Sequence, residues 1–145
     1  MRTIIAEIGQ NHNGDMGLAS ELIYAASEGG ADVAKFQVFD ALETFGREGN
    51  PWWEYNKKTE LTRANVEYLA DVCERANIEF MASVFNSKFV DWMECVNVRR
   101  YKIASREIEN SELIRACIET GKPVIVSLGH WNGIELPDIH GNDIE

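Results

Sequence analysis

The sequence predicts an α/β fold, with about five parallel strands and four intervening helices. Three observations predict it. Short apolar runs alternate with stretches of helical period, and strict alternation of this kind implies a parallel sheet with right-handed crossovers. The later β–α units recur about every 21 to 24 residues. In each of these units a helix end leads into a strand that carries a small or polar residue at or near its end.

The elements follow in order. A first strand covers residues 3–8 (TIIAEI), and a helix over 15–28 carries Leu18, Leu22, Ala25 and Ala26 at helical steps. The second strand is 32–37 (DVAKFQ). A helix over 62–76 shows Val66, Leu69, Ala70 and Cys73 on one face, and the third strand is 78–84 (IEFMASV). A shorter helix over 87–95 carries Phe89, Val90 and Met93, ahead of a fourth strand at 101–104 (YKIA). The last helix, 111–120, buries Leu113, Ile114, Cys117 and Ile118; Asn110 is its N-cap, and Gly121 with Pro123 stops it. The fifth strand is 123–127 (PVIVS). One connection breaks the rhythm. Residues 38–61 form a long loop containing Gly46, Gly49, Pro51, Trp52, Trp53 and Tyr55. A loop of that length in a compact domain is functional or disordered, and its aromatic content favours a lid or packing on a rim. The tail, 130–145, is polar, with Gly133, Pro137 and Gly141 and no helical period.

Composition narrows the function classes. With 145 residues the chain makes one domain, and 45% hydrophobic residues suffice for a core. A net charge of −10, from 14 Lys+Arg and 24 Asp+Glu, argues against a nucleic-acid surface. No apolar run reaches the roughly 18 residues of a membrane span, and MRTIIAEIGQ lacks the apolar core of a signal peptide. A cytoplasmic location is expected. Cys73, Cys95 and Cys117 lie 22 residues apart without CxxC spacing. They read as small core residues in equivalent helix positions, not as metal ligands or disulfides.

Side chains alternate across a strand, so parity assigns faces. If the more apolar face packs on helices, the opposite face gathers Glu7, Lys35, Gln37, Ser83, Lys102 and Ser127 near the carboxyl ends of their strands. Ser105 and Glu107 follow the fourth strand. Ligands of such sheets bind beyond those ends. Two inward lysines with several hydroxyls suit a phosphate or carboxylate. Glu79 shares the inward parity but sits at the start of its strand, where a stabilising role is expected.

The segments AEIGQNHNG (6–14), AKFQ (34–37), FMASVF (80–85), YKIASREIEN (101–110) and GKPVIVSLG (121–129) together resemble the sialic acid (N-acetylneuraminate) synthase family and its legionaminate and pseudaminate relatives. The resemblance covers residues 3–129. It implies an incomplete TIM-type (β/α) barrel, a single partial domain over 1–145 holding strands 1–5, without the later strands or a C-terminal antifreeze-like domain. It also implies condensation of phosphoenolpyruvate with an N-acylated amino sugar such as N-acetylmannosamine, giving a nonulosonic acid and phosphate. On the matching positions, Lys35, Ser83, Lys102, Ser105 and Ser127 are implied phosphoenolpyruvate contacts. Gln37 and Glu107 are implied sugar contacts, and Glu7 is an acidic residue near the reacting carbons.

The family's divalent cation, manganese or magnesium, is held by histidines on later strands. His12, His130 and His140 do not occupy those positions, so no metal ligand is assigned, and His12 is expected to cap its loop. Val84, Ala104, Arg106, Leu128 and the pair His130-Trp131 depart from the family pattern. The family's sugar-contacting Asn has two candidates here, Asn50 and Asn56. Catalysis is expected to need the missing half, supplied by another copy or a complementary chain. Two other readings remain at this stage: a different phosphoenolpyruvate- or sugar-phosphate-using barrel enzyme, and a non-catalytic half-barrel that binds a partner.

Overall fold

In the computed structural model, residues 2–132 are described, and they form one parallel five-stranded sheet in the order β1-β2-β3-β4-β5. The strands are β1 (Ile5–Gly9), β2 (Val33–Val38), β3 (Glu79–Val84), β4 (Tyr101–Ile103) and β5 (Val124–Val126). Every strand pairs in parallel with its sequence neighbour, so each helical connection joins adjacent strands. The sheet does not close on itself among the described residues. The tail beyond residue 132, including His140, lies outside them.

Six α-helices accompany the strands: α1 (Met16–Glu28), α2 (Ala41–Phe45), α3 (Trp53–Thr59), α4 (Arg63–Arg75), α5 (Val90–Cys95) and α6 (Ser111–Glu119). Four were expected. The other two, α2 and α3, lie in the segment anticipated as a long loop. Asp40 starts α2 by accepting from the N–H groups of Leu42 and Glu43. The expected cap of α6 is present, with Asn110 Oδ1 accepting from Leu113 N–H at 3.1 Å. Helix α4 has a reciprocal capping box between Thr62 and Asn65.

The repeated helix endings have a common geometry. Gly30, Asn77 and Asn97 take positive φ, and the next residue's N–H reaches back five positions: Ala31 to Ala26, Ile78 to Cys73, Val98 to Met93. This is the Schellman turn, which satisfies helix-end carbonyls and aims the chain into the next strand. Asn accepts the left-handed conformation at two of the three because its short polar side chain tolerates it.

The core lies between the sheet's outer face and the helices. Ala34, Phe36 and Val38 of β2, with Phe80, Ala82 and Val84 of β3, pack against Ile23, Val66, Leu69 and Cys73. A second cluster holds the anticipated loop on the rim: Phe39, Ala41 and Phe85, with Phe45 and Trp53 packed on it. The Phe39 ring meets Phe45 and Phe85 edge-on at 5.1 and 6.0 Å. Cys73 and Cys117 are buried as expected, but Cys95 is exposed and accepts a hydrogen bond from Arg63. Its helix is short, and the repeat places Cys95 on the last, outward-facing turn. At the amino end of the sheet Arg100 donates to both oxygens of Glu79 at 3.0 and 3.1 Å, which matches the structural role expected for that carboxylate.

Candidate functional site

The register brings the inward polar residues together. Glu7 lies beside Lys35, Gln37 beside Ser83, and Ser83 beside Lys102. Lys35 is 7% exposed and Ser83 4%. The Lys35 ammonium forms an ion pair with Glu7 and donates to Ser83 Oγ at 3.2 Å. A desolvated ammonium needs such partners, and here they fix its position. Lys102 is half-buried, and its Nζ donates to the Ile103 carbonyl at 2.7 Å. Burial, and then the nearby charge of Lys35, hold the Lys102 pKa below the ordinary lysine value, with Glu7 opposing. Two cations thus sit close together at the carboxyl end of the sheet, Lys35 in an ion pair with Glu7 and Lys102 in none among the described residues.

The remaining predicted residues fall around this pair. The Ile103 carbonyl that receives Lys102 also accepts from Ser127 N–H at 3.1 Å, which places the start of the β5 loop beside the lysine. Gly9 carries φ +56° at a break in the β1–β2 register. A Cβ there would lie 3.1 Å from Glu7 Oε1 and 3.5 Å from Gln37 Nε2, so these two side chains meet over Gly9. Ser105 Oγ hydrogen-bonds His130 Nδ1 at 2.8 Å. Glu107 ends the short turn that follows β4. Its carboxylate accepts from Asn110 Nδ2 at 3.0 Å and faces Arg106 Nε at 3.4 Å, so it supports the start of α6.

His12 is fully buried and its Nδ1 accepts from Gly14 N–H at 3.1 Å, the loop-capping role expected. Burial lowers its pKa, so it stays neutral under the loop. Gly14 has φ +76°, and a Cβ there would lie 2.4 Å from the backbone oxygen of Lys58 in α3. The AEIGQNHNG loop and α3 are therefore locked together. Gly14→Ala is expected to cost about 1–3 kcal/mol from strained φ alone, with the clash added, as read by urea unfolding; an unchanged midpoint would remove this lock.

The lock continues through Gln10, which sequence reasoning did not single out. Its Nε2 donates to Asn56 Oδ1 at 3.2 Å and Thr59 Oγ1 at 2.7 Å, while Tyr55 Oη donates to the Gln10 carbonyl at 3.0 Å. Across the mouth, the Arg106 guanidinium donates to the Thr44 carbonyl at 2.7 Å and lies over the Phe45 ring. Together these elements line an open cleft of about 420 Å³ that includes Gln10, Phe45, Asn50, Trp52, Asn56 and Arg106. Gln10 directly follows β1, a position adjacent to Gly9 that could have flagged it. His130 was legible only as a departure, because its contact depends on the path of the β5 loop.

The divalent cation implied by the resemblance finds no donor set among the described residues. Among the described residues no three His, Cys, Asp or Glu side chains converge on one point. The Glu7 and Glu107 carboxylates are engaged as described. Nor is any helix among those residues long and apolar enough to cross a membrane.

Comparison with known proteins adds a lineage. The model of the NeuB family matches residues 22–138. The N,N'-diacetyllegionaminic acid synthase of Legionella pneumophila is 37% identical over 139 residues, covering 87% of this chain and 39% of that protein. The pseudaminic acid synthase of Helicobacter pylori is 33% identical over 148 residues, covering 93% and 44%. Among solved structures, the citrate complex of the N-acetylneuraminic acid synthetase from Leptospira borgpetersenii superposes with a TM-score of 0.82 at 34% identity, covering 87% of this chain and 44% of that one. A truncated 3-deoxy-D-arabino-heptulosonate 7-phosphate synthase from Thermotoga maritima shares the fold, with a TM-score of 0.71 at 15% identity over 98% of this chain and 49% of its own. The chain spans about two fifths of the length of the curated relatives it matches.

Proposed function

The chain belongs to the NeuB family, and from that membership we propose that it carries the phosphoenolpyruvate side of a synthase that condenses phosphoenolpyruvate with an N-acylated amino sugar. The observation that carries this reading is the pair of Lys35 and Lys102 at the strand ends, the second in no ion pair among the described residues. An incoming phosphate or carboxylate repays the desolvation of Lys102 and relieves its repulsion from Lys35. Ser83, Ser105 and Ser127 supply hydroxyl donors around the same end of the sheet.

In the proposed reaction the carbon 3 of phosphoenolpyruvate bonds to the aldehyde carbon of the open-chain sugar, whose oxygen takes up a proton. Water adds at carbon 2, and the carbon 2–oxygen bond to phosphate breaks, giving a 2-keto acid and inorganic phosphate. Glu7, paired with Lys35, lies where it can orient the substrates or hold a proton. Gln37 is the proposed sugar-facing residue nearest to it, and Glu107 acts on the sugar side by bracing Arg106 and Asn110. A divalent cation, supplied with the remainder of the synthase, would polarise the aldehyde.

Calorimetric titration of the chain with phosphoenolpyruvate tests this reading. The expected result is saturable binding that inorganic phosphate displaces. Absence of binding at millimolar ligand would overturn it. For turnover, the expected result is product formation only when the later strands are supplied, by another copy or a complementary chain.

A further inference from the structure

The hydrogen bond between Ser105 and His130 can be made in two ways, with different consequences for the anion site. It joins the turn after β4 to the loop after β5. Ser127 N–H and Lys102 Nζ share the Ile103 carbonyl, which holds the start of that loop beside the lysine. Trp131 N–H then closes a turn on the Leu128 carbonyl at 2.9 Å, with Gly129 and His130 at its corner. A Cβ on Gly129 would lie 3.5 Å from Ser105 Oγ, so the loop runs in contact with the serine. The turn delivers His130 Nδ1 to Ser105 Oγ at 2.8 Å. Position 130 departs from the pattern that the chain otherwise resembles, so the couple is a feature of this chain.

A serine hydroxyl has one proton to give. While the ring is neutral with a bare Nδ1, that proton goes to the ring, and Ser105 offers the site only acceptor lone pairs. An anion needs donors. In the imidazolium form both ring nitrogens carry protons, so Nδ1–H donates to Ser105 Oγ and the hydroxyl proton is released to a ligand. The same step adds a positive charge at the end of the sheet that holds Lys35 and Lys102. The neutral Nδ1–H tautomer also frees the hydroxyl, but without the charge. Histidine changes charge between about pH 5 and 8, so both forms are within reach.

The surrounding charges leave this choice open. Residues 127–132 hold no other charged side chain. The turn that carries Ser105 brings Arg106 and Glu107, which face each other at 3.4 Å; Arg106 also donates to the Thr44 carbonyl, and Glu107 accepts from Asn110. Strand β4 brings Lys102, whose Nζ donates to the Ile103 carbonyl. None of the three forms an ion pair with His130 among the described residues.

We propose that His130 is a positioning residue of the anion site: its protonation turns the Ser105 hydroxyl into a donor toward the phosphate or carboxylate of the ligand, so anion binding takes up a proton at the imidazole. The inference rests on the phosphoenolpyruvate reading above and adds to it a second titrating group.

Sulfate is the probe, because it stays a dianion near neutral pH and brings no titration of its own. Calorimetry on the full chain is expected to show sulfate binding about fivefold more tightly at about pH 6 than at about pH 8, the effect of one charge-assisted hydrogen bond on a group that titrates between them. In two buffers of different ionisation enthalpy at about pH 6.5, binding is expected to take up protons. His130→Asn places an amide N–H near the Nδ1 position but does not titrate. It is expected to flatten the pH dependence and abolish the uptake while still binding sulfate. In a Ser105→Ala background the pH dependence is expected to shrink to below about twofold, which a ring acting through its charge alone would not give. Equal binding at the two pH values, a dependence that survives His130→Asn, or one untouched by Ser105→Ala overturns the inference. If sulfate does not bind, the same comparison is made with phosphoenolpyruvate, whose own titration is common to the unaltered chain and the variant. Phosphoenolpyruvate binding with one pH profile in both defeats the role of His130 alone, whereas failure of both anions to bind defeats the functional reading beneath it.

Discussion

Lys102→Met is expected to weaken phosphoenolpyruvate binding by at least about a hundredfold while leaving the fold as stable as before, or more so. Both halves have one cause. The ammonium is half-buried, its one hydrogen bond is to the Ile103 carbonyl, and Lys35 repels it. Folding therefore pays to keep it there, and only an anionic ligand makes good use of it. Methionine fills similar volume without the charge, so the cost disappears along with the binding. A variant that binds normally would remove Lys102 from the site. One that is strongly destabilised would make it a structural residue.

The same lysine gives a pH signature. In the unfolded chain it ionises at the ordinary value near 10.5, and in the folded chain below that. Between the two values the unfolded chain holds more protons, so unfolding free energy rises with pH across that window. Below the window the folded state carries the full penalty of the buried charge. A bound anion favours the protonated form, so binding takes up protons near the folded pKa and weakens as pH rises through it. Calorimetry in two buffers of different ionisation enthalpy reads this uptake, and Lys102→Met is expected to abolish it.

Phe36→Ala is expected to have the largest effect on stability, about 3–5 kcal/mol by urea unfolding. Phe36 is fully buried on β2, stacks on Phe80 at 5.9 Å and has the His12 ring at 6.2 Å. Its chain neighbours are Lys35 and Gln37, so the ring anchors the strand that presents both to the opposite face. A loss under about 1 kcal/mol would mean that the helices collapse into the gap and that the strand is held by its ladder alone.

How far the sequence alone carries can be judged residue by residue. The strands and long helices were legible because apolar period survives wherever one face is buried. The inward set of Glu7, Lys35, Ser83 and Lys102 was legible because parity is a property of the strand itself. Helices α2 and α3 were not, since five and seven residues hold too few turns to display a period. They form because Asp40 caps one and the Phe39, Phe45 and Phe85 rings seat the segment. The engagement of Glu107 by Asn110 and the outward turn of Cys95 were equally hidden. Each depends on where a short turn directs a side chain, which neither spacing nor hydrophobicity encodes.

The neighbour-by-neighbour strand order also bears on how the chain acquires its structure. Every ladder joins consecutive strands, so no pairing waits for a distant segment, and each unit can dock as soon as it exists. The β2–β3 ladder is the longest, with six paired positions, against four between β1 and β2, two between β3 and β4 and three between β4 and β5. Amide hydrogen exchange should therefore be slowest in β2 and β3 and fastest in β4 and β5. Such a pattern would show a protein whose β2–β3 centre stays closed while the β4–β5 side opens locally.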